Sequence, residues 1–152
     1  MFKLRAILTA PMKKYTSKRQ VFKKIWKHFI VDKNPISQNE NGCLYSKTGC
    51  AIGCLLLPYK KMRKKWDDDS TLASSNIDCV KRAFPEDFWK IFEKRSFKSK
   101  IGIRFLRKLQ VLHDSSCNIE DFRESLREIN ERHKYVTPIS KKSKKTKDTL
   151  KS

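Results

Sequence analysis

Three of the five cysteines stand close together in NGCLYSKTGCAIGCLLLP, residues 41–58, as Cys43, Cys50 and Cys54. Thiolates at such density can hold zinc or supply a nucleophile. The spacing is awkward for zinc, because six and three residues separate the cysteines rather than the two or four usual in a knuckle. On an extended strand, Cys50 and Cys54 would stand about 13 Å apart at ~3.3 Å per residue. One tetrahedral ion could then be shared only if Gly53 bent the chain sharply. Cys43 facing Cys50 across a hairpin, with His113 as a distant extra ligand, is the remaining metal arrangement.

A cysteine nucleophile needs a base within hydrogen-bond reach. Cys50 precedes the small residues Ala51 and Gly53, which leave room for a substrate backbone, and His113 with Asp114 could supply a base and a carboxylate. Adjacent residues rarely point the right way, so Asp114 is not expected to orient the His113 ring. The favoured reading of Cys43, Cys50 and Cys54 is packing, since cysteine is a small and frequently buried hydrophobe. No metal and no cofactor are expected. Asp67, Asp68 and Asp69 lack the spacing of a calcium loop and read as a solvated segment beside lysines.

The charge comes next. The chain of 152 residues carries a formal +20, of which residues 1–31 contribute +9 without an acid and residues 134–152 contribute +6. The middle, residues 32–133, keeps only +5. Such a field attracts polyanions: DNA, RNA or an anionic membrane surface. No apolar run approaches the roughly 18 to 20 residues that span a bilayer. The first residues hold an apolar patch too short for a secretory signal. With an odd number of cysteines, this favours a reducing compartment with free thiols, cytoplasmic or nucleoid and nuclear. The acid-free start also resembles a mitochondrial presequence, but its pattern runs straight into a core helix.

Residues 17–31 predict an amphipathic helix, with Val21, Phe22, Ile25, Trp26, Phe29 and Ile30 on one half of the wheel and Lys23, Lys24 and Lys27 on the other. Thr16 or Ser17 would cap it, and Asn34-Pro35 would stop it. Residues 36–42 read as loop. Cys43–Tyr45 and Cys50–Cys54, joined through Gly49, predict a short β-hairpin. Pro58–Lys65 predicts a basic helical turn, 85–95 a short helix, and 99–113 a longer one with the stripe Ile101, Phe105, Leu109 and Leu112. The last helix starts at an Asn118 cap and buries Ile119, Phe122, Leu126 and Ile129. The expected fold is therefore mainly α within the α+β class: four or five short helices packed around one small β-hairpin. Residues 1–16 form a basic extension, 17–133 one α-rich domain, and 134–152 a disordered lysine-rich tail.

The chain also resembles a family of small, uncharacterised bacterial and phage proteins. The matching blocks are Cys43-Leu44-Tyr45, then Cys50-Ala51-Ile52-Gly53-Cys54-Leu55-Leu56-Leu57-Pro58, then Leu106 with Leu109-Gln110-Val111-Leu112-His113-Asp114 and the closing helix from Phe122 to Ile129. The chain departs from that pattern at Ser46, where Arg is usual, and at Tyr59, where Asp is usual. The resemblance implies a compact α-rich domain with a small hairpin, and no activity, cofactor or partner. Cys or Ala stands at the position of Cys54 among such proteins, which argues against a ligand there. A protein borne by a virus or mobile element and working inside a host cell fits this resemblance.

The leading functional expectation is a small, basic, non-enzymatic binding protein. Phosphate contacts to DNA or RNA would come from Lys60, Lys61, Arg63, Lys64, Lys65, Lys100, Arg104, Arg107 and Lys108, helped by both ends. No base-reading motif is present, so the binding would be non-specific. One alternative is a cysteine-dependent hydrolase or transferase using Cys50 and His113. Another is a factor that binds a host protein.

Overall fold

A computed structural model gives the architecture of residues 13–36, 50–68 and 77–137. Helix α1 (Lys18–Trp26) starts where the sequence places it. Ser17 is extended and its Oγ accepts the Gln20 amide at 3.3 Å, while Gln20 Oε1 accepts the Thr16 amide at 2.7 Å. Past Trp26 the helix widens over Lys27–Val31, closed by the Asp32 amide on the Lys27 carbonyl at 2.8 Å. The wider turn buries two consecutive side chains, His28 and Phe29. Lys33 then takes a positive φ of 54°, and Asn34 Nδ2 donates to the His28 carbonyl at 3.0 Å.

The expected β-hairpin is corrected here. No strand occurs among the described residues, and the segment assigned to its second strand is a turn leading into a 3₁₀ helix, Gly53–Leu56. The Cys54 amide bonds the Cys50 carbonyl at 3.0 Å, and the Leu55 amide bonds that of Ile52 at 3.0 Å. Residues 50–56 are all essentially buried. A buried strand would need neighbouring strands for its amides, whereas a helical turn satisfies them internally. Alanine and leucine also favour that choice over the pleat. The first strand (Cys43–Tyr45), its turn residues, Asp69, residues 1–12 and residues 138–152 lie outside the described residues.

Helix α2 (Lys60–Asp68) outlasts the single turn expected and takes Asp67 and Asp68 into its end. It buries Met62, Arg63 and Trp66. Helix α3 (Ile77–Ala83) had no counterpart in the sequence reading. Pro85 opens α4 (Pro85–Ile91), with Glu86 and Asp87 in its first turn, as its composition suggests. Phe92 then forms an isolated parallel bridge with Tyr15: the Tyr15 amide donates to the Ile91 carbonyl at 2.8 Å, and the Glu93 amide to the Tyr15 carbonyl at 2.9 Å. A short α5 (Lys94–Ser96), capped by Glu93, runs into a second widened turn, Phe97–Ile101.

Gly102 separates that turn from α6 (Ile103–Asp114). Its φ of 75° is the reason for glycine, since a Cβ there would meet nothing within 4 Å. The break rotates α6 relative to the expected stripe. Leu106, Leu109, Gln110 and His113 are buried, while Phe105 and Leu112 lie at the edges. Helix α7 (Ile119–His133) is capped by Asn118, which accepts the Asp121 amide at 3.0 Å, and buries Phe122, Leu126 and Ile129. Arg123 Nε donates to the Phe29 carbonyl at 2.8 Å, fastening α7 to the end of the first helix.

The core holds two aromatic groups. Phe88, Phe92 and Phe97 pack with ring centroids 4.8–5.3 Å apart, flanked by Trp89 and Tyr15. Phe29 meets Phe122 edge-on at 5.0 Å, beside His113. Tyr135 packs on Phe22 at 5.1 Å, so the chain stays engaged just past α7.

Candidate nucleic-acid interface

Helix α2 sorts its charges by register. Met62 and Trp66 face inward four residues apart, and Lys60, Lys61 and Lys64 are exposed on the other side. Arg63 belongs to the inner face. It is 8 % exposed, and its Nη2 lies 3.4 Å from the Leu57 carbonyl oxygen, so it does not join the outer cations. Lys65 sits between the two roles. Its ammonium donates to Asp87 Oδ2 at 2.9 Å and lies 4.6 Å over the Phe84 ring. Lys90 approaches the same carboxylate at 3.5 Å. Burial pushes the Asp87 carboxyl up, but the hydrogen bond and charge of Lys65, with Lys90, outweigh it and hold the group below its ordinary range.

Tyr59, Met62, Leu57 and Pro58 floor a groove of about 680 Å³ beside these lysines.

The second cationic face runs along α6. Lys100, Arg104 and Lys108 are exposed and have no ion pair among the described residues. Arg107 is paired with Asp78 of α3 and is thereby partly neutralised. Of the nine basic residues proposed from sequence, six stand out to solvent without an ion pair among the described residues: Lys60, Lys61 and Lys64 on α2, and Lys100, Arg104 and Lys108 around α6. Arg63, Lys65 and Arg107 are committed to the protein itself. Sequence reasoning missed Asp87 and Asp78 as the acids that do this, since each pairing joins separate helices.

Cys50, the candidate nucleophile, is not a free thiol. Cys50 is disulfide-bonded, and its partner lies outside the described residues, as does Cys43. The expectation that all thiols are free is therefore overturned at Cys50, and the compartment argument loses that premise. A sulfur held in a disulfide is neither a thiolate nucleophile nor a zinc ligand. Cys54 is a free thiol, fully buried, with Sγ 3.1 Å from the Ala51 carbonyl oxygen. Burial drives its pKa far up, against a small opposing pull from Lys24, so it is a protonated packing residue.

His113 corrects a second expectation. Its Nδ1 does meet Asp114 Oδ1, at 2.9 Å, although the two are adjacent in sequence. The ring is 1 % exposed and wedged against Phe29 and Phe122, so the pair reads as a fastened core histidine. Among the described residues, no group of three or more His, Cys, Asp or Glu side chains could hold a metal ion.

Fold and surface together define a helical protein with two cation-rich faces. No helix among the described residues is long and apolar enough to cross a membrane. No protein-family model matches the chain, and no curated protein or solved structure matches it significantly.

Proposed function

We propose that this chain is a small, basic, non-enzymatic protein that binds nucleic acid through phosphate contacts, with little sequence preference. The observation that carries the reading is the set of exposed cations without acidic partners among the described residues: Lys60, Lys61 and Lys64 on α2, and Lys100, Arg104 and Lys108 around α6. The six are added to a chain whose ends are themselves strongly basic. Lysine–phosphate contacts release counterions, so affinity must fall with salt. The bonded state of Cys50 speaks against the thiol-enzyme alternative.

The test is affinity for a short DNA duplex against salt concentration. Binding is expected in the micromolar range at low salt, with a log–log slope of about −0.9 per phosphate contacted. The ends should be removed at residues 13 and 137. A fragment beginning at residue 32 would lack α1, whose Val21, Phe22 and Ile25 are fully buried. Loss of slope in the shortened chain assigns those contacts to the ends, and an unchanged slope assigns them to α2 and α6. Affinity indifferent to salt in the full chain would refute the reading.

A further inference from the structure

A second concavity, of about 470 Å³, opens between α1, α3 and the start of α6. Five cations line it, and they come from three separate stretches of the chain. Lys18 is on α1, Lys81 on α3, Lys98 and Lys100 on the widened turn, and Arg104 on α6. No acid among the described residues lines the cleft. Asp78, the acid of α3, is taken by Arg107 outside it. Folding thus gathers five like charges into one hollow, where walls of low polarity strengthen their field.

Apart from Ser99 and Gly102, the rest of the lining is apolar. Ile103 and Phe105 are only partly buried, beside the buried Phe97 and Ile101. Lys18 lies 5.6 Å over the Phe105 ring, and Lys81 lies 5.7 Å over that of Phe97. A duplex offers phosphates to a convex surface but keeps its bases stacked inside. A hollow with cations at the rim and an aromatic floor suits a strand whose bases are free to leave the stack.

We propose that this cleft takes single-stranded nucleic acid, with phosphates at Lys18, Lys81, Lys98, Lys100 and Arg104 and one unstacked base against Ile103 and Phe105. The inference rests on the nucleic-acid reading above and narrows it to one site and one form of ligand. Lys18 and Lys81 belong to it through the tertiary fold alone.

The experiment uses the full chain and two fluorescent probes, a ten-nucleotide oligothymidylate and a ten-base-pair duplex, over a range of salt. The cleft variant K98A/K100A/R104A changes exposed side chains, so folding should survive, and thermal unfolding checks this. It should weaken oligothymidylate binding by about tenfold or more and reduce its log–log salt slope by ~2, at roughly 0.7 per contact on a single strand. K60A/K61A/K64A should weaken the same probe less. Phe105→Leu keeps the floor apolar but removes the ring, and should weaken oligothymidylate about fivefold or more while sparing the duplex.

Equal losses from the two triple variants would overturn the cleft while leaving the general reading intact, provided duplex binding still falls with salt. An unchanged affinity in the cleft variant would do the same. Single-strand binding lost with the cleft, in a protein that ignores duplex, would support the cleft and refute the broader phosphate surface. A chain that binds neither probe overturns both.

Discussion

Gln110 on α6 reaches across the core to the start of α3, where its Oε1 accepts the Ile77 amide at 3.0 Å. The first amides of a helix have no partner inside it, so this side chain supplies an acceptor that α3 lacks. Both residues are buried. Gln110→Leu keeps the volume but leaves a buried amide unsatisfied, and should cost about 1–3 kcal/mol. Urea unfolding of the variant is the check. A loss below ~0.5 kcal/mol would mean that water takes over the role.

A contact between residues 33 positions apart leaves no local signal in the sequence. The caps at Ser17 and Asn118 were legible because each side chain acts on an amide three residues ahead. The core faces of α1 and α7 were legible because their apolar residues keep helical period. Helix α3 was not, since its seven residues offer only Ile77 and Val80 to the core and its first amide is satisfied by a residue 33 positions away. The hairpin failed for a related reason: small and apolar residues between glycines fit a strand or a buried turn, and burial decided. The site divides in the same way. The outward cations of α2 follow from its period, whereas the Asp87 and Asp78 pairings and the convergence on Lys18 and Lys81 exist only in three dimensions.

The rotation of α6 about Gly102 has a measurable consequence. Leu109 is fully buried and Phe105 lies at the edge of the core. Leu109→Ala should therefore cost about 2–5 kcal/mol, the usual range for a cavity in a closed core. Phe105→Ala should cost less, about 1–2 kcal/mol, because part of the ring already faces water. Equal losses in denaturant unfolding would return the helix to the register that its sequence stripe suggests.

Stability should fall at alkaline pH, and a buried thiol and a half-buried phenol set the direction. Burial raises the Cys54 thiol far above its ordinary value of 9.0. Tyr15 is likewise raised above 10.0, first by burial and then by the Cys54 and Tyr59 charges. Well below pH 9 both groups are protonated, folded or unfolded, and contribute no slope. Above it the unfolded chain releases protons that the folded chain retains, so stability declines as pH rises. Cys54→Ala should flatten this decline from about pH 9, and Tyr15→Phe from about pH 10. An alkaline limb identical in both variants and the parent would assign the loss to other groups.

The state of the cysteines can be read by alkylation. Cys117 is exposed, Cys79 is half-buried and Cys54 is fully buried, and all three are free. In the native protein iodoacetamide should reach Cys117 first, Cys79 more slowly and Cys54 scarcely at all, since the thiolate is the reacting form. Unfolding without reductant should open Cys54 and leave Cys50 unlabelled, because its sulfur is held in a disulfide. Reductant should then release Cys50 to the reagent. The same reductant, added to native protein, should lower the melting temperature by removing a cross-link from the unfolded chain, and should have no such effect in Cys50→Ala. Label on Cys50 in the unfolded, unreduced chain would refute the bonded state. It would also restore a free thiol at that position, beside the small residues Ala51 and Gly53.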